Sequence, residues 1–96
     1  MSKRIFELKI GEKPREVYVL EIIRFTNKYG KIKVKARGKY ISKAIICSDL
    51  ACRKTNDNLI IKDGIAKVYR EIVYNEEEHK NYTLTAIELT IEKMGI

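Results

Sequence analysis

The chain has 96 residues, 45% of them hydrophobic, enough for one modest core and too few for two. With one proline, no tryptophan, five glycines and no low-complexity run, it leaves no room for a linker or a disordered tail, so a single domain over residues 1–96 is expected. The formal charge of +7 belongs to the first half, with 13 Lys or Arg against 4 acids in residues 1–43 and 7 against 9 in residues 44–96, and an excess of that size points to a polyanionic partner.

Taken in chain order, residues 4–10 alternate Ile5, Glu7 and Lys9 with Phe6, Leu8 and Ile10, the pattern of a strand with one buried face. Gly11 ends it, and Pro14 stands where a first helical position tolerates a missing N–H. Residues 15–29 spread apolar side chains over a broad helical arc (Tyr18, Val19, Leu20, Ile22, Ile23, Phe25), with Gly30 placed to close the helix. Residues 31–37 are the clearest strand: Ile32, Val34 and Ala36 pack, while Lys31, Lys33, Lys35 and Arg37 form a cationic row. Like charges in such a row repel, so the face is expected either to meet phosphate or to serve as a solvated surface.

The tight connection Arg37-Gly38-Lys39 leads into a second helix over about 40–55, which Asn56, Asp57 and Asn58 end. Two extended segments follow, 59–74 and 82–93, separated by the polar stretch 75–81 and rich in Ile, Val, Tyr and Thr, as in a long hairpin. In the second segment Tyr82, Leu84 and Ala86 share one parity and Ile87, Leu89 and Ile91 the other, which predicts a bulge or twist near Ala86 and Ile87. The order is βαβαββ, an α+β two-layer sandwich with two helices on one face of a four-stranded mixed sheet and a long C-terminal hairpin arm.

No run approaches the roughly 20 apolar residues of a membrane span, and the N-terminus lacks the apolar stretch of a secretory signal, so a soluble cytoplasmic protein is expected. Cys47 and Cys52 diverge around a helix, which disfavours a mutual disulfide and makes them free thiols and small buried hydrophobes. Enzymatic signatures are sparse. The single histidine, His79, falls in the hairpin tip among Glu76, Glu77, Glu78 and Lys80, and three consecutive carboxylates do not converge on a cation. No Ser/His/Asp set, Walker loop or G-x-G-x-x-G occurs, and neither a catalytic group, a metal, a cofactor nor a small-molecule substrate is expected.

The segment around residues 33–44 is different. It gathers Lys35, Arg37, Gly38, Lys39, Ser42 and Lys43 about a strand end, a glycine turn and a helix start, where free N–H groups and the helix dipole favour an anion. Arg37 can grip phosphate with two donors, the lysines add point charges, and Ser42 either donates its hydroxyl or caps the helix. Lys13 and Arg15, near Pro14, complete the candidate nucleic-acid-binding set.

The run Lys-Ala-Arg-Gly-Lys-x-Ile-Ser-Lys-Ala, residues 35–44, resembles the signature of the Alba family. Gly11-Glu-Lys-Pro14 with Tyr18-Val-Leu20 is similar to that family's G-K-K-P segment and first helix, and residues 63–93 are similar to its closing hairpin. The resemblance implies the same βαβαββ fold, shared with the C-terminal domain of a bacterial translation initiation factor and with small ribonuclease P subunits. It also implies a homodimer whose basic loops sit over the nucleic-acid backbone while two arms reach along the minor groove. Lys13 matches a backbone-contacting lysine of the family, and Arg37, Lys39 and Lys43 match its central basic positions. Glu12 stands where many relatives carry an acetylated lysine, Thr55 stands near an aromatic that joins dimers into filaments, and the acidic tip would repel a close phosphate.

The expected function is therefore sequence-independent binding of double-stranded DNA, and of RNA, in a chromosome- or nucleoid-associated role. The alternatives are an RNA-binding subunit of a ribonucleoprotein of the ribonuclease P type, and a heterodimerisation module working with a paralogue.

Overall fold

A computed structural model describes residues 4–94. Four strands and two helices follow in the order β1 (Phe6–Lys9), α1 (Arg15–Tyr29), β2 (Lys31–Arg37), a 3-10 turn (Gly38–Tyr40), α2 (Ile41–Lys54), β3 (Leu59–Asn75) and β4 (Lys80–Lys93). The sheet order is β1-β2-β4-β3, with β1 parallel to β2 and the other neighbours antiparallel, so the expected mixed sheet and βαβαββ order are found.

The period-two pattern of β2 explains how the layers meet. Ile32, Val34 and Ala36 face the helices together with Leu8 from β1 and Ile87, Leu89 and Ile91 from β4. On the helical side Tyr18, Val19 and Ile22 of α1 and Ala44, Cys47 and Ala51 of α2 close the core. Ile22, Ile32 and Ile91 are wholly buried, each contributing on the order of 2 kcal/mol of transfer free energy. α1 begins after Pro14, whose carbonyl accepts from the Val17 N–H, so the proline is the capping residue rather than the first helical one. Gly30 closes α1 in the left-handed region (φ 80°) and its N–H donates to the Thr26 carbonyl, the expected terminator.

The hairpin departs from expectation in two places. Its strands run further than the alternation indicated, leaving a four-residue tip, 76–79, where the Asn75 side-chain oxygen accepts from the Glu77 and Glu78 N–H groups. The β4 ladder is continuous through Ala86 and Ile87, with no bulge there. What changes near those residues is the face that carries apolar side chains: Ile87, Leu89 and Ile91 point to the helices, whereas Ala86, Leu84 and Tyr82 lie on the opposite face further along the arm. The irregularity is on the neighbouring strand, where Ile61 opposes Ile91 but Ala66 opposes Leu89. The intervening residues 62–65 bow out through Asp63 and Gly64, both left-handed (φ 57° and 61°).

Candidate nucleic-acid interface

Three loops and strand ends converge where β1 and β2 finish. The loop after β1 is shaped from within by Tyr18, a buried α1 side chain whose hydroxyl accepts from the Gly11 N–H at 2.8 Å and the Lys13 N–H at 3.3 Å. From α2, the Lys43 ammonium donates to the Gly11 carbonyl at 2.6 Å and to the Lys13 carbonyl, and lies 5.1 Å from the Tyr18 ring centroid and 5.9 Å from that of Tyr40. Two charge-assisted hydrogen bonds and two aromatic faces occupy this cation, so its first role is to fasten the loop to α2.

The glycine turn is built as the sequence required. Gly38 has φ +57°, with nothing within 4 Å of the position a Cβ would take. Its carbonyl accepts from the Ile41 N–H, and the 3-10 turn runs straight into α2. No side chain caps α2, and Ser42 stands exposed in its first turn, which removes the capping role from the two readings of that residue. Lys39 projects with 77% of its side chain exposed, 3.9 Å from the Glu12 carboxylate and 5.3 Å from the Tyr40 ring centroid. The Tyr40 hydroxyl donates to Glu12, and that hydrogen bond, with Lys39 adding to it, holds the Glu12 carboxyl below its ordinary pKa, while the same contact raises the Tyr40 phenol. Lys13 is 60% exposed and pairs with Glu21 at 3.1 Å, and Arg37 is half exposed and pairs with Glu71 of β3 at 3.3 Å.

The cationic row on β2 meets carboxylates from both neighbouring strands. Lys31 lies 3.8 Å from Glu92, Lys33 3.8 Å from Glu88, and Lys35 2.8 Å from Glu7 and 3.6 Å from Glu88. The hydrogen bond between Glu7 and Lys35 lowers the carboxyl pKa and raises that of the ammonium. The row is thus neither a bare phosphate platform nor a field of solvated like charges. Its neutralisation comes from residues that are adjacent only through strand pairing, Glu7 on β1 and Glu88 and Glu92 on β4.

Of the candidate residues, the fold brings Lys13, Arg37, Gly38, Lys39, Ser42 and Lys43 to one end of the molecule and leaves Lys35 on the sheet face in its ion pairs. Arg15 opens α1 and, with Leu20, Leu50 and Lys54, lines a shallow groove between the helices; among the described residues it forms no ion pair. Sequence reasoning passed over Tyr18 and Tyr40, whose hydroxyls set the two loops, because both read there simply as members of helices. It also passed over Lys62, Lys67 and Arg70 of β3 and took Lys80 only as part of the polar tip; among the described residues none of the four has a carboxylate within 4 Å. Their dispersal along two strands, rather than in one run, hid them. Thr55, flagged for its place near a family aromatic, ends α2 by donating to the Ala51 and Cys52 carbonyls while accepting from the Leu59 N–H.

The Alba family model matches residues 7–66. The DNA/RNA-binding protein Alba of Thermoplasma acidophilum is 36% identical over 89 residues, 88% of this chain and 91% of that protein, and its counterpart in Thermoplasma volcanium matches to the same extent. Among solved structures, Alba from Thermoplasma volcanium superposes with a TM-score of 0.77 at 28% identity, covering 91% of this chain and 99% of that one. ALBA1 from Trypanosoma brucei superposes at 0.70 with 14% identity over 96% of this chain and 72% of its own, a likeness of fold.

Proposed function

The chain belongs to the Alba family, and from that premise we propose that it binds double-stranded DNA, and RNA, through the phosphate backbone without reading sequence, as a non-enzymatic architectural protein of the chromosome. The observation that carries this reading is the difference in exposure between two sets of cations. Lys31, Lys33 and Lys35 lie low on the sheet among Glu7, Glu88 and Glu92, whereas Lys13, Arg37 and Lys39, each with a single surface carboxylate partner, extend near Gly38 with half or more of their side chains exposed. Exposed cationic heads are thereby gathered at one end of the molecule, where a phosphate can replace a weakly held surface carboxylate. The naming of curated relatives as DNA/RNA-binding supports a ligand class wider than DNA, as expected of a surface that addresses phosphate rather than base edges.

The reading includes a homodimer, with a paralogue able to replace one copy. Ile65, Val68 and Ile72 of β3 are 63%, 65% and 72% exposed, and Val68 and Ile72 share the helix-side face of an arm that neither helix covers. A second protomer laid against that face would bury them and direct two arms, each with Lys67 and Arg70, along a duplex. Three exposed loop cations per protomer, six per dimer, predict a slope of about −5 in log K against log salt for duplex DNA. Anisotropy titrations between low and moderate salt measure it, and the Arg37→Ala, Lys39→Ala double variant should flatten the slope equally on unrelated sequences. A slope near zero would overturn the proposal.

A further inference from the structure

The outer face of the sheet holds a cleft of about 340 Å3 between the glycine turn and the base of the arm. Its lining is unlike a phosphate site. Lys9, Lys35 and Arg37 contribute cations, but Glu7 and Glu71 stand among them, and the pairs Lys35–Glu7 (2.8 Å) and Arg37–Glu71 (3.3 Å) leave it nearly neutral. A phosphate entering there would meet two carboxylates. Tyr40 and Tyr69 each add an aromatic ring to the lining, and Tyr40 is fixed through its hydroxyl by Glu12. Arg37 and Tyr69 are held on either side of Ala86 by the strand register.

Aromatic walls with adjacent donors and carboxylate acceptors are what a heterocycle needs, and the geometry points to an unpaired guanine base, in a bulge or loop of RNA, as the occupant. Stacking on a tyrosine ring serves any base. The Arg37–Glu71 pair adds selection: the guanidinium donates to guanine O6, and the carboxylate beside it accepts from N1–H and the 2-amino group, the edge that Watson–Crick pairing hides. The inference rests on the nucleic-acid reading and adds a base-selective subsite to a surface that otherwise addresses phosphate.

The test compares binding of the full chain to RNA stems of one sequence that are fully paired or carry a single unpaired G, A or U. The G-bulged stem should bind about tenfold tighter than the A- or U-bulged stem, the effect of the charge-assisted hydrogen bond to guanine, since stacking serves all three bases. Tyr69→Ala should abolish that preference and Tyr69→Phe retain it, with the paired stem bound equally by all three proteins. Equal affinity for all four stems overturns the inference while leaving duplex binding intact; this comparison uses the unsubstituted chain and stands whatever the fold of the variants. Calorimetric titration with guanosine monophosphate probes the cleft independently of any duplex. Uptake that exceeds that of uridine monophosphate by a similar factor supports the cleft even if the paired stem is not bound, and equal uptake of the two counts against it.

Discussion

Replacing Lys43 with methionine separates two roles that one cation can play. In the structure its ammonium holds the Gly11 carbonyl at 2.6 Å, reaches the Lys13 carbonyl, and lies over the rings of Tyr18 and Tyr40. Methionine keeps the stem and removes the charge. The partly buried bond to Gly11 accounts for roughly 1.5 kcal/mol, and the solvent-facing remainder for roughly 0.5 kcal/mol, giving a loss of about 2 kcal/mol. For a domain of this size that lowers Tm by about 10 °C. Thermal and urea denaturation followed by circular dichroism measure the loss, and duplex titrations on the same samples, kept well below the new Tm, measure binding. The clamp reading expects the stability loss with a salt slope reduced by less than one contact. Unchanged stability with a slope reduced by about 0.9 per protomer would refute it and make Lys43 a phosphate contact alone.

Glu12→Gln should raise duplex affinity about twofold at low salt, the repulsion of roughly 0.5 kcal/mol that one exposed carboxylate would exert in water on a phosphate placed about 8 Å away, and the gain should vanish at high salt; anisotropy titrations read both. Glu7→Gln should make unfolding free energy less dependent on pH. The native Glu7 carboxyl lies below its unfolded value because of Lys35, so its contribution is full above that unfolded value, near pH 4.5, and is lost as pH falls through the lowered one. For this half-exposed pair the difference is at most about 1 kcal/mol, read as converging urea curves for the two proteins under acid conditions. Gly38→Ala should cost about 1 kcal/mol from the left-handed φ alone, because no atom crowds the added methyl; a much larger loss by urea titration would show that the turn is packed.

Much of the architecture was legible because local rules agreed with one another. The period of β2, the glycines closing α1 and starting the 3-10 turn, and the apolar arc of α1 each report a local requirement that the tertiary structure leaves unchanged. The interface was legible in part. The cluster about Gly38 is contiguous in sequence, so its charge could be counted, but the carboxylates that silence Lys31, Lys33 and Lys35 come from residues 7, 88 and 92, and only the strand register brings them close. Tyr18 illustrates the same limit. Its place on a helix is visible from periodicity, whereas the two N–H groups its hydroxyl accepts depend on the path of the preceding loop. On β4 the mixed parity was a real signal given the wrong cause: the apolar residues change sides of an unbroken ladder, because the base of the strand faces helices and the arm extends past them.

The excursion at residues 62–65 has a consequence for how this molecule tolerates change. Below it, Leu59 and Ile61 belong to the packed body; above it, even-numbered side chains from Ala66 to Tyr74 take over that side. Spare backbone at the junction can absorb an inserted or deleted residue before the error reaches either part, much as an expansion joint keeps movement in one span from cracking the next. Arm and body are therefore free to diverge at different rates, so that related chains can preserve one scaffold while altering what the hairpin touches.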